Sequence, residues 1–458
     1  MRRLTILLLF LLPVGLAPLR ADDGTGGSSI EESDPGKAPP EEGKDPGKVN
    51  APESAKKPSE SGDDADAPVV GGNLQARINK AIELGVKWLK SAQGKDGSWG
   101  PCKANRIYGS TETGDFTRDP TGPTSFSVFT LSKCGVPSSD PVVRKGFTWV
   151  KEQTRLAWDQ SGNEAHAKTS TYESASILMM LEAMYDRSAK LTGKHTKRLL
   201  TDNPRSPPDR SRIPKDDWKW MHERVIWLTT GIRAGGNKGR TIKGCQNPNG
   251  GWRYGQGNGD QDLSATQFVI LGLRAASQAG YPFDESGNPD WRNATVWDQA
   301  LNYVKSMQNG DGSFSYQAGQ QFSAGMSAAG LACLIICKEQ LELIARPIPS
   351  WVDGAIEKGF KFLDSVFEVG VNQGLHEGVP YIYYYLYGIE RLGDLTGRKE
   401  FNSKDWYVRG AEYLLAQQEA DGKWTDQTCM IPRDVLGTCF ALLFLKRATP
   451  PTVTITTD

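Results

Sequence analysis

Three carboxylates, Glu173, Asp262 and Asp434, each stand at the start of an apolar helical run, and Arg253 and Arg433 precede two of them. Acids grouped with tyrosines are what general acid–base work or cation stabilisation requires. On this reading Glu173, Asp262 and Asp434 are the candidate catalytic groups. Tyr172, Arg253, Tyr254, Ser327, His376, Tyr384 and Arg433 are the candidate ligand-binding groups, with Thr124 on the same rim. Each acid also has a plainer use. Ser170-Thr171-Tyr172-Glu173 has the spacing of a capping box, and Asp262 and Asp434 occupy positions where N-caps belong, so helix capping alone accounts for each. No metal site or cofactor is expected, because His166, His195, His222 and His376 are scattered and no CxxC spacing occurs.

The elements that must position these residues follow a repeated seven-residue pattern. Gln93-Gly94-Lys95-Asp96-Gly97-Ser98-Trp99 returns as Gln246-Asn247-Pro248-Asn249-Gly250-Gly251-Trp252, as Gln308-Asn309-Gly310-Asp311-Gly312-Ser313-Phe314, and as Gln418-Glu419-Ala420-Asp421-Gly422-Lys423-Trp424. Each copy ends one amphipathic helix pattern and precedes a more apolar one, the signature of stacked supersecondary units. The Asp/Asn-Gly pair supplies a turn with positive φ, and the aromatic closes over the helix end. Hydrophobic period gives six pairs. Outer patterns run through 81–89, 147–150, 218–230, 297–307, 356–367 and 406–418, and inner ones follow Pro123, Tyr172, Asp262, Gly325, Tyr381 and Asp434. A copy after the second outer helix is eroded to Gln153. If the outer helices run one way and the inner ones return, the inner N-termini share one rim. Their unpaired N–H groups would favour an anion there, above a mainly apolar cavity.

The motif copies resemble the Gln-Trp repeats of the squalene cyclase and protein prenyltransferase superfamily, across roughly 71–449. That resemblance implies an all-α, closed (α/α)6 toroid and an isoprenoid or other apolar ligand in the central cavity. The family's catalytic signatures do not carry over. The cyclase acid, Asp-x-Asp-Asp at an inner-helix start, has its nearest likeness in Asp63-Asp64-Ala65-Asp66, outside the repeats. The prenyltransferase zinc site needs a His before Thr-Cys on the last inner helix, where this chain has Gly437-Thr438-Cys439, and the upstream Asp-x-Cys pair is missing. The Cys-Gly-Glu-Gln of thioester proteins with this fold is absent as well.

Residues 1–21 read as a secretory signal peptide, with cationic Met1-Arg2-Arg3, an apolar run from Leu4 to Leu12, and Ala21 before Asp22-Asp23. The run is too short to span a bilayer and no later segment reads as transmembrane, so export to the periplasm or extracellular space is expected. Residues 22–70, poor in large apolar side chains and carrying Asp34-Pro35-Gly36-Lys37 again as Asp45-Pro46-Gly47-Lys48, read as a disordered linker. The toroid follows at 71–449 and a flexible tail at 450–458. With 54 basic and 54 acidic residues, no net field draws the protein to nucleic acid. Seven Cys without CxxC spacing argue against a dense disulfide framework, and Cys333 and Cys337 read as small core residues on one helix face. The insert at 191–217 reads as a solvated surface loop, and 281–290 as a shorter loop containing Pro, Gly and Asn. Three functions stay open: an exported protein that binds or processes an apolar ligand, a non-catalytic envelope scaffold with a protein partner, and a carbohydrate-active toroid.

Overall fold

Two kinds of helix alternate along the chain, and their burial separates them. The odd-numbered set comprises α1 (Val70–Ser91), α3 (Pro141–Asp159), α5 (Lys215–Leu228), α7 (Thr295–Ser306), α9 (Val352–Val366) and α11 (Trp406–Gln417). Most of these bury one stripe; α11, for example, buries only Trp406, Gly410, Ala411 and Leu414. The even-numbered set comprises α2 (Thr121–Lys133), α4 (Thr171–Tyr185), α6 (Leu263–Gln278), α8 (Ala324–Leu343), α10 (Ile382–Thr396) and α12 (Arg433–Lys446). These are buried nearly all round: every residue of α2 from Thr121 to Ser132 is inside. A helix without a polar face must be surrounded by others. This computed structural model describes residues 70–100, 120–159, 170–186, 212–229, 245–254, 260–283, 295–375, 381–426 and 432–449, all within the unit Ala67–Asp458. The expected signal peptide, the linker up to residue 69, the tail at 450–458, His376, and most of the 191–217 insert lie outside the described residues.

The inner helices close on themselves. α2 packs on α4, α4 on α6, α6 on α8, α8 on α10, α10 on α12, and α12 returns to α2. With α1, α3, α5, α7, α9 and α11 packed around them, the chain forms the all-α (α/α)6 toroid that the repeats predict. α8 is long and apolar enough to cross a membrane by composition, but it is almost wholly buried between α6, α7, α9 and α10, which makes it a core helix.

The repeated motif is the seam of this ring. In all four copies the glycine has positive φ: 105° at Gly97, 93° at Gly250, 98° at Gly312 and 99° at Gly422. Each also lies against the backbone of the next outer helix; a Cβ on Gly250 would sit 2.0 Å from Gln299 O and one on Gly312 2.3 Å from Lys358 O. The motif glutamine stitches the same junction. Its Nε2 donates to its own loop glycine carbonyl and to a carbonyl of the next outer helix: Gln93 to Val142 O at 2.9 Å, Gln246 to Val296 O at 3.2 Å, Gln308 to Ala355 O at 2.8 Å. Gln418 donates to Ala81 O at 3.0 Å and so joins the last outer helix to the first. The aromatic turns inward. Trp99, Trp252 and Trp424 donate their indole N–H to Leu89 O, Leu228 O and Leu414 O of the preceding outer helix.

Two local features escape the periodicity. Asn402 and Ser403, both with positive φ, turn a two-stranded ribbon, β1 (Glu400–Phe401) with β2 (Lys404–Asp405), ahead of α11. The loop from Tyr281 is no simple surface segment either. Tyr281 and Phe283 are buried, Tyr281 stacks on Trp218, and its hydroxyl lies 2.7 Å from His222 Nδ1, so an aromatic anchor overrides the Pro/Gly composition.

Candidate functional site

The inner-helix N-termini begin as donors in need of acceptors, and the structure supplies those acceptors from the chain itself. At α4, Glu173 N–H donates to Ser170 Oγ while Ser170 N–H donates to Glu173 Oε2 at 2.6 Å, a complete capping box. Thr171 N–H donates to Tyr254 O at 3.1 Å. At α6, Ala265 N–H donates to Asp262 Oδ1 at 2.7 Å and Leu263 N–H to Tyr316 O at 2.9 Å. At α8, Ala324 N–H donates to Gln373 O, Gly325 N–H to Asn372 Oδ1, and Met326 N–H to Ser323 Oγ. The loops after two of the motif copies and the loop after α9 thus cap the preceding inner helices, and most of the donors expected to attract an anion at these three helices are occupied.

Five of the sequence-predicted site residues meet where α4 and α6 begin. Arg253 Nη1 lies 3.2 Å from Asp262 Oδ2, and its guanidinium sits between the rings of Tyr254 and Tyr316, 4.7 and 5.6 Å from their centroids. The Tyr254 and Tyr316 hydroxyls are 3.0 Å apart. One layer inward, Tyr172 OH donates to Ser264 Oγ at 2.9 Å, Ser264 Oγ is 3.1 Å from Tyr384 OH, and Gln267 Nε2 donates to that phenol at 2.7 Å. Asp262 is fully buried, and burial pushes its carboxyl up to about 6 against the opposing pull of the Ala265 N–H and Arg253. Burial likewise raises the phenols of Tyr172 and Tyr316, and Tyr384 to about 12, so all three stay neutral at physiological pH. The cluster can hold a proton on Asp262 near neutrality, and the partly exposed Arg253, Tyr254, Ser264 and Tyr316 reach the surface.

Behind that cluster the ring is filled. Phe126 of α2 lies 6.3 Å from Phe268 of α6 and 6.4 Å from Tyr387 of α10, and Phe268 stacks on Tyr384 of α10 at 6.3 Å. None of these pairs joins adjacent inner helices, so each contact crosses the ring. Phe440 of α12 packs on Phe126, Tyr384 and Tyr387, and Tyr172 of α4 on Phe268. The apolar side chains expected to line a central cavity instead interlock across it. Two clefts among the described residues lie elsewhere: about 460 Å³ beside α3, including Arg144 and Trp149, and about 250 Å³ including Tyr383, Tyr413 and Asp426.

The remaining predicted residues take separate places. Ser327 is buried and accepts the Phe314 N–H at 3.0 Å; Thr124, Thr266 and Thr438 do the same for Trp99, Trp252 and Trp424. These hydroxyls lock the motif to the inner helix. Asp434 is not the N-cap, which falls on Pro432; among the described residues its carboxylate accepts only the adjacent Val435 N–H, and no ion pair links it to Arg433. No hydrogen bond or ion pair joins Glu173, Asp262 and Asp434 to one another. Sequence reasoning missed Tyr316, yet it stands two residues after Phe314 as Tyr254 stands two after Trp252, so motif offset could have found it. Ser264 and Gln267 carried no such signal.

Residues 237–453 match the family model of the prenyltransferase alpha-alpha toroid domain. No curated protein matches the chain. Among solved structures, the chain is similar to a variant of the type II terpene cyclase MstE from Scytonema in complex with merosterolic acid A, its product. Identity is 11%, covering 82% of this chain and 97% of that one, with a TM-score of 0.46. A second variant of the same cyclase, in complex with its substrate geranylgeranyl dihydroxybenzoate, gives 11% identity over 82% and 97% with a TM-score of 0.42. An inactive variant of the alpha-1,6-mannanase GH76A of Salegentibacter sp. HEL1_6, in complex with alpha-1,6-mannotriose, gives 7% identity over 81% and 98% with a TM-score of 0.42.

Proposed function

Residues 237–453 match the prenyltransferase alpha-alpha toroid domain, and we propose that the chain keeps this toroid as an exported, non-catalytic scaffold. The observation that carries this reading is the packed interior: Phe126, Phe268, Tyr384, Tyr387 and Phe440 meet across the ring where a cyclase-like ligand would lie. Two further features support it. Most of the rim donors of α4, α6 and α8 are spent on the chain's own acceptors. At Gly437, where the resemblance calls for a zinc-binding His, a Cβ would lie 2.5 Å from Trp424 O, so the motif backbone occupies the space a side chain needs. Recognition then falls to the surface, with Arg253 between Tyr254 and Tyr316 as its most structured patch. Calorimetric titration with farnesyl diphosphate and with a neutral polyprenol tests the proposal. No saturable heat is expected; one-to-one binding that Phe268→Trp abolishes would overturn it.

A second reading rests on Asp262, whose carboxyl at about 6 could protonate a polyene. It requires the aromatic cluster to open. Product formation from a polyprenyl substrate, lost in Asp262→Asn, would favour it over the scaffold.

A further inference from the structure

Among the described residues, two cations, Arg274 and Arg391, are buried on the inner helices of this ring, and one of them is matched to an acid on a neighbouring inner helix; the half-buried Lys133 is matched in the same way. Lys133 at the end of α2 pairs with Glu182 of α4 at 2.7 Å. Arg274 of α6 makes a two-pronged pair with Glu339 of α8 at 2.7 and 3.0 Å. Arg391 of α10 is only 1% exposed, yet among the described residues none of its three guanidinium nitrogens makes a well-directed hydrogen bond and no carboxylate forms an ion pair with it. A guanidinium cannot escape by losing its proton, and an uncompensated buried charge is among the costliest features a fold can carry.

What surrounds Arg391 is partial compensation. Its guanidinium carbon stands 4.3 Å from the ring centroid of Tyr387, one turn earlier on α10. Burial pushes the Tyr387 phenol up, while the charge and a hydrogen-bonding contact from Arg391 both pull it down. Tyr384, two turns earlier on the same face, and the buried Cys333 thiol of α8 also feel the charge. The adjacent acid, Glu390, is engaged elsewhere: both its oxygens accept from Thr449, through N–H and Oγ1, each at 2.9 Å. Burial and the neighbouring Asp394 also push the Glu390 carboxyl well up, away from the charged form. Asp394 in turn pairs with Arg447. Every acid near Arg391 on its own helix is therefore taken.

We propose that Arg391 is an internal anion site, taking a small monovalent anion of halide or formate size one turn beyond the aromatic cluster. A guanidinium whose fork of donors is not fully spent, at the edge of an apolar, aromatic interior, recognises such an ion by charge and by paired N–H donation. The site does not depend on the scaffold reading, since it involves neither the rim nor catalysis.

Thermal unfolding at fixed ionic strength tests it. Chloride or formate is varied between about 1 and 200 mM, and gluconate, too large for the interior, makes up the balance. An anion bound only by the folded state raises the midpoint with the logarithm of its concentration once above its Kd. The wild type is expected to show that slope, Arg391→Lys to keep a weaker one, and Arg391→Met to lose it while equalling or exceeding the wild type at low anion. Chloride-35 line widths give a readout that needs no variant: broadening by the wild type should fall saturably as formate is raised to compete with chloride. Equal slopes in wild type and Arg391→Met, or no formate-sensitive broadening in the wild type, would overturn the proposal.

Discussion

A threonine or serine hydroxyl beneath each motif aromatic decides how firmly that motif is held. Thr266 Oγ1 accepts the Trp252 N–H at 3.0 Å in a site with no exposure, so Thr266→Val leaves a buried donor unmet. The expected loss is about 1–3 kcal/mol by urea unfolding, with secondary structure kept. Trp252→Ala removes the indole and its bond to Leu228 O and should cost about 3–5 kcal/mol. Asp262 makes a different kind of contribution. Its folded carboxyl titrates at about 6, above the ordinary value of 3.8, so the folded state favours the protonated form. The resulting stabilisation is complete below about pH 4 and is lost as pH rises through 6. Asp262→Asn keeps a capping oxygen but cannot ionise. Relative to the variant, the wild type should therefore lose on the order of 3 kcal/mol between pH 4 and 7, measured as the difference of two urea-melt series. Parallel pH profiles would contradict this.

Between one outer helix and the next, the junction depends on a glycine that serves two purposes at once. Gly250 needs positive φ, and its missing Cβ lets Gln299 O approach to where that carbon would be, 2.0 Å away. Gly250→Ala should cost about 2 kcal/mol or more and push α7 away from the motif, visible as faster amide exchange in α7 than in α9. This is also where the legibility of the sequence divides. The motif, the six helix pairs and the rim position of Tyr172, Arg253, Tyr254, Asp262 and Tyr384 can be read from spacing, because local turn chemistry and helical period recur. Ser327 cannot be assigned that way: a hydroxyl in the first turn of an apolar helix looks the same whether it faces a ligand or a backbone N–H. Nor can the filled interior be read. Whether Phe126 and Phe268 line a cavity or touch across it depends on ring diameter, which is set by small-residue contacts such as Gly272 against Ala175 rather than by local pattern.

For the molecule as a whole, the bond from Gln418 Nε2 to Ala81 O spans 337 positions, whereas the equivalent bond from Gln93 to Val142 O spans 49. Each glutamine also bonds its own loop glycine carbonyl, so Gln418→Ala and Gln93→Ala each remove two side-chain bonds and should lower stability by about 1–3 kcal/mol. Their kinetics should differ. Closure of a long loop is entropically late, so Gln418→Ala is expected to speed unfolding and leave refolding unchanged, while Gln93→Ala divides its effect between the two arms of a chevron. Equal partition in both variants would show that the ring closes before the barrier.

Trp99, Trp252 and Trp424 each bind their indole proton to a carbonyl of a different outer helix, in sites without exposure. Their indole resonances should therefore persist after transfer to deuterated solvent, each fading at the rate at which its own seam opens. The order in which they vanish would reveal whether the ring comes apart at its covalent ends or at an internal junction, without a single substitution.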